Sequence, residues 1–198
     1  MPDPTVLAFD TSAAHCAAAL LKAGRVAAAL VEPMQKGQAE RLLPMLEELL
    51  AEGNASWSDL TSIGVGIGPG NFTGTRIAVS AARGLALGLG IPAVGVSAFE
   101  ATAFGRARPI SVAVPAPRDH IYVQSFDASG ETEPRLCPRA DVGIADAMSL
   151  CLEPRDLVIA IAQVAARNHK SAAERPAPLY VRPADAAPPR EAPPAILP

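Results

Sequence analysis

The chain has 198 residues, 49% of them hydrophobic and only 4% aromatic, with 20 acidic against 17 basic side chains and a formal net charge of −3. That is enough for one ordinary domain or two small ones with a core of Ala, Val and Leu, and no run reaches the ~20 apolar residues that span a bilayer. The acidic balance and the lack of a basic cluster count against a stand-alone nucleic-acid binder. "MPDPTVLAFDTS" has neither a basic n-region nor a sustained apolar stretch, so no secretory signal is expected. Cys16, Cys137 and Cys151 are odd in number and have no CxxC spacing, which fits reduced thiols in a cytoplasmic protein better than a disulfide framework.

In chain order, "TVLAFD" reads as a buried strand ending on Asp10. Ala17 to Leu21 and Val26 to Val31 flank Gly24 and read as two further strands joined by a tight turn, with a helix as the alternative that their alanine content allows. Leu42, Leu43, Leu46, Leu49 and Leu50 then recur at helical spacing, with Gly53 at the C-cap position. Because a proline fits only the first turn, Pro44 predicts a helix starting near Arg41 or Leu42. "LTSIGVGIG" predicts a strand, Thr75 to Leu89 a helix, "IPAVGVS" a strand and "AFEATAFGRA" a helix. This order argues α/β with a mixed sheet.

In the second half, Ile110 to Val114 and Ile121 to Phe126 predict strands around "APRDH". "VGIADAMSLCLE" predicts a helix, "DLVIAIA" a strand and "QVAARNHKSAAE" a helix. The last stretch, from Arg175, holds eight prolines and predicts extended chain lying on the body and fraying toward the end. The expected domains are residues 1–104 and a shorter 105–198.

The stretch from Gly66 to Gly74 packs four glycines and a proline into nine residues. It is not a Walker A loop, because Gly70 and Gly74 are one residue too close and no lysine follows. Nor is it a Rossmann fingerprint, because Gly68-Pro69-Gly70 and Gly74 are one residue too wide. The glycines also suit close backbone approach, with Thr73 as helix cap. Asp10, Thr11 and Ser12 could hold a hydrated metal and phosphate, or form a polar turn. His15, His120 and His169 show no metal spacing, no G-x-S-x-G elbow is present, and no set of catalytic side chains stands out.

Taken together, "LAFDTS", "QAERLLPMLEELL", "GVGIGPGNFTGTRIAVSAARGLALGLGIPAVGVSAFEA" and "PLYVR" resemble the TsaB (YeaZ) family of tRNA threonylcarbamoyladenosine biosynthesis proteins. The match is dense from about Leu7 to Ala101 and thin afterwards. The resemblance implies an actin-like (ASKHA) ATPase fold, α/β, of two similar lobes with mixed sheets and flanking helices, the second lobe reduced. It also implies a non-catalytic subunit, without cofactor or metal of its own, that binds and activates a TsaD-like catalytic subunit. That subunit installs N6-threonylcarbamoyladenosine next to the anticodon in tRNAs reading codons that begin with A. A TsaE-like ATPase joins the complex, tRNA is met only through it, no membrane is involved, and homodimers can use the same surface.

TsaD-type catalysts carry paired histidines on the first long helix. Arg41 to Glu52 has none, and Gln38 stands where many relatives have a histidine. Alanines also follow Asp10, Thr11 and Ser12 where backbone approach would matter, and Pro115 stands where relatives often show an acid, so the resemblance implies vestigial phosphate loops at Asp10, Thr11, Ser12, Gly68, Gly70, Thr73 and Gly74. The partner interface it implies draws on Leu42, Leu46, Leu49, Leu50, Ile77, Ala78, Ala81, Ala82 and Leu85, some of which must face the lobe's own core. The alternative is a nucleotide-dependent transferase or hydrolase that uses the Asp10 and Gly68 to Gly74 loops itself.

Overall fold

The computed structural model describes residues 3–141, 148–170 and 174–181. Strand β1 (Val6–Asp10) pairs antiparallel with β2 (His15–Lys22), and β2 pairs antiparallel with β3 (Arg25–Pro33). Ala23 and Gly24 both take left-handed backbone between β2 and β3, the geometry of a two-residue hairpin whose twist matches its strands. On the other side β1 pairs parallel with β4 (Ser62–Gly66), and β4 pairs parallel with β5 (Ala93–Val96). The first sheet thus runs β3-β2-β1-β4-β5.

The second sheet repeats the scheme. Strand β6 (Ile110–Ala116) pairs antiparallel with β7 (His120–Phe126), and β7 pairs antiparallel with β8 (Arg135–Pro138). A short β9 (Met148–Leu150) joins β6 in parallel. The order β8-β7-β6-β9 matches β3-β2-β1-β4 and lacks a fifth strand among the described residues. Two mixed sheets built on one plan, the second smaller, form the actin-like fold that the resemblance implies.

Side chains alternate across the first sheet with the two-residue period of a strand. Leu7, Phe9, Ala18 and Leu20 pack beneath α1 (Gln38–Glu52) and α2 (Phe72–Leu89). Val6, Ala8, Ala17, Ala19 and Leu21 face the other way, into a core shared with α3 (Ala98–Ala103), α4 (Pro154–Asn168) and the inner face of β6. Helix α4, from the second half of the chain, therefore packs on β1, β2 and β4 of the first sheet.

Several expectations are corrected. Helix α1 begins at Gln38, not near Arg41, and contains Pro44. A proline inside a helix costs about 3 kcal/mol, but Pro44 is exposed, and burial of Leu42, Met45, Leu46, Leu49 and Leu50 outweighs the loss. Gly53 does close α1. Its φ is ordinary, and a Cβ there would meet the end of the Leu20 side chain, which would have to shift. Helix α2 starts three residues before Thr75, capped by the Asn71 side chain, which accepts from the Gly74 amide at 2.8 Å, rather than by Thr73.

"DLVIAIA" is helical, not a strand, because Leu157, Val158, Ile161, Ala162 and Ala165 lie on one helical face that seals the first sheet. Of the helix expected over "VGIADAMSLCLE", residues 142–147 lie outside the described residues. Met148–Leu150 is strand β9, held by the parallel edge of β6. The 174–181 segment is extended on the body as expected, Leu179 N donating to Ile67 O at 2.8 Å. The remainder of the proline-rich stretch lies outside the described residues.

Candidate functional site

Because β1 and β4 are parallel neighbours, the turn after Asp10 and the glycine loop after Gly66 emerge side by side. In a phosphate-binding protein the space between such loops receives the ligand. Here the two loops are hydrogen-bonded to each other and together line one wall of a cleft. The Thr11 hydroxyl donates to Gly74 O at 2.6 Å, and Asn71 N donates to Ser12 O at 2.5 Å. A Cβ on Gly70 would collide with the Ser12 carbonyl, one on Gly74 with the Thr11 carbonyl, and one on Gly66 with the Asp10 carboxylate. These three positions demand glycine because protein approaches there. Gly68 differs, with a φ of 92°. Its carbonyl accepts from Ala98 N. Thr73 is exposed on the first turn of α2.

Asp10 is 1% exposed. Its Oδ2 accepts from Ser12 N at 3.1 Å, Ser12 Oγ at 3.0 Å and His15 Nε2 at 2.7 Å. These donors satisfy the buried carboxylate, as burial of a charge requires. The His15 contact is a feature that sequence reading missed. Its signal lay in the β1–β2 register, where Asp10 faces Ala17 and His15 follows just beyond the pair. An acid–imidazole pair supplies two members of a nucleophile-activating triad, but among the described residues the hydroxyl engaged with it, Ser12 Oγ, donates to the acid and not to the imidazole. That order does not activate the serine.

Ser12, His15, Lys36, Asn71, Pro115 and Arg139 are among the residues around a cleft of about 1110 Å³ where the lobes face each other. Among the described residues no three His, Cys, Asp or Glu side chains converge as a metal site. Cys16, next to His15 and fully buried, has its thiol pushed up to about 11, chiefly by burial and then by the charge of Glu32.

Of the residues expected at a partner interface, Leu42, Leu46, Leu49, Leu50, Ala78 and Ala82 are buried in the core under α1 and α2. Such side chains have no surface left to offer. Ile77, Ala81 and Leu85 are half-buried. Ile77 and Ala81 continue into Gly84 and Gly88, both exposed with open space where a Cβ would stand. These four positions recur at i, i+4, i+7 and i+11, a single stripe of α2. On α1, Leu43 is 48% exposed and Pro44 stands beside it. Arg41 braces this helix against β3 by donating from Nε to Glu32 at 2.8 Å, and within the helix its Nη1 donates to Glu48 at 2.8 Å. Those hydrogen bonds hold both carboxyls below the usual range.

A family model described as TsaD, tRNA N6-adenosine threonylcarbamoyltransferase, matches residues 32–182. The chain is 34% identical over 145 residues to the tRNA threonylcarbamoyladenosine biosynthesis protein TsaB of Escherichia coli (strain K12), covering 67% of this chain and 62% of that protein. It is 33% identical over 152 residues to TsaB of Bacillus subtilis (strain 168), covering 75% and 66%. The matches thus span somewhat under two thirds of these curated relatives. Among solved structures, YeaZ from Pseudomonas aeruginosa superposes with a TM-score of 0.71 at 27% identity, over 89% of this chain and 99% of that one.

Proposed function

This chain belongs to the TsaB/YeaZ family, and from that membership we propose that it works in tRNA threonylcarbamoyladenosine biosynthesis as a non-catalytic subunit that binds and activates a TsaD-like partner. The partner transfers the threonylcarbamoyl group to the adenosine beside the anticodon in tRNAs reading codons that begin with A. A TsaE-like ATPase joins the assembly, and tRNA is engaged only through it. The work is cytoplasmic, consistent with described helices too short or too polar to cross a membrane.

One observation carries the reading. The two loops that would hold a phosphate are tied directly to each other, Thr11 to Gly74 and Asn71 to Ser12. Among what α1 and α2 leave at the surface are small and apolar residues, Leu43, Gly84 and Gly88 exposed and Ile77, Ala81 and Leu85 half-buried. Small side chains let a second pair of helices approach closely, and a standard interface needs only about 800 Å² per partner. A homodimer through the same stripe would compete with the partner.

Size-exclusion chromatography of the chain mixed with its TsaD-like partner is expected to give a co-eluting complex. Two separate peaks would contradict the reading. Micromolar binding of ATP with Mg²⁺ to the isolated chain by calorimetry would instead favour the transferase or hydrolase alternative.

A further inference from the structure

Beside the α2 stripe lies a cluster with no role in the loops. Phe72, the first residue of α2, stacks on Tyr180 of the 174–181 segment, ring centroids 5.3 Å apart and planes inclined by 30°. Both residues are 44% exposed. The Arg76 guanidinium lies 3.8 Å from the Phe72 ring centroid and 5.9 Å from that of Tyr180. Its Nε donates to the Tyr180 hydroxyl at 2.8 Å.

One face and one nitrogen of the guanidinium are therefore fixed, while among the described residues neither Nη group meets a carboxylate. Among the described residues the salt bridges join His15 to Asp10, and Arg41 to Glu32 and Glu48. An arginine already stacked and hydrogen-bonded loses little further freedom on binding, and its planar fork matches a carboxylate through two parallel hydrogen bonds. Half-exposed rings beside it would screen such a pair from water. Tyrosine and arginine in that setting are typical of the few residues that dominate interface energies.

We propose that Phe72, Arg76 and Tyr180 form a receptor for an Asp or Glu side chain of the TsaD-like partner. The inference rests on the partner reading above and deepens it. Arg76 stands on the same helix as the Ile77–Ala81 stripe and is exposed, so a partner that covers the stripe comes within reach of it. A single guanidinium in a chain of net charge −3 suits one carboxylate. It does not suit a phosphate backbone, which several cations must neutralise.

The test is calorimetry of the full-length chain with its partner, at low and high salt, for wild type, Arg76→Gln and Arg76→Lys. Arg76→Gln is expected to weaken binding about ten- to hundredfold and to flatten its salt dependence. Arg76→Lys keeps the charge but not the fork, and is expected to weaken binding about tenfold. Both should unfold within about 3 °C of wild type, since the side chain is exposed, and should Arg76→Gln fail to fold, Arg76→Lys decides alone. Wild-type affinity in a folded variant overturns the receptor while leaving the partner reading intact. Unchanged partner affinity with loss of tRNA binding by the isolated chain also overturns it, in favour of nucleic acid. Absence of any complex with wild type overturns the partner reading itself.

Discussion

The Thr11 hydroxyl donates to the Gly74 carbonyl at 2.6 Å, joining two loops 63 residues apart in sequence. This contact ties the two loops that read as a phosphate cradle into a close seam along one wall of the cleft. The glycines of the loop are then there for chain packing, and the seam's tightness is measurable.

Gly74→Ala would drive its Cβ into the Thr11 carbonyl oxygen, a backbone atom that cannot swing aside. The expected loss is about 2–3 kcal/mol, or about 5–10 °C in thermal unfolding for a chain of this size. Gly88→Ala is the control. Its Cβ meets nothing within 4 Å, and replacing glycine inside a helix should gain about 0.5–1 kcal/mol. Differential scanning fluorimetry of both variants checks the pair.

Adjacent alanines on α2 separate docking from folding. Ala81 is half-buried while Ala82 is fully buried. Ala81→Arg is expected to keep its thermal unfolding close to wild type and abolish co-elution with the partner, because its charge reaches solvent only while no partner is seated. Ala82→Arg forces a charge into the core and should prevent folding outright. Circular dichroism melts read beside size-exclusion profiles distinguish the two.

Burial of Cys16 gives a signed pH dependence. Its thiol is raised from 9.0 to about 11, so the native state holds its proton over a range in which the unfolded chain releases it. Between those values the unfolded state binds fewer protons, and stability falls as pH rises. Urea midpoints are expected to be insensitive to this group below pH 9 and to drop between pH 9 and 11. Cys16→Ala should remove that part of the drop, at the cost of a small cavity.

Much of the first lobe was legible because its signals are local. Strands β1 to β3, the Gly24 turn and the leucine period of α1 each depend on residues a few positions apart. The errors came where tertiary packing outvoted local chemistry. Pro44 argued for a late helix start, yet the buried leucines below it hold the helix from Gln38. The apolar run from Leu157 fits a strand and a helix equally, and only the uncovered face of the first sheet decides for α4. At the site, the glycines announced a tight turn but not what they approach, since the Thr11 and Ser12 carbonyls come from another loop. The Arg76–Tyr180 contact spans 104 residues and has no local trace.

The central claim is that the chain activates chemistry it does not perform. The most direct measurement is threonylcarbamoyladenosine formation on a cognate tRNA, supplied with threonylcarbamoyl-adenylate and a TsaE-like ATPase, comparing this chain alone, the TsaD-like partner alone, and both. The account predicts product well above the partner's own level only when both are present, and none from this chain alone. Product from this chain by itself, or a mixture no more active than the partner, would contradict it.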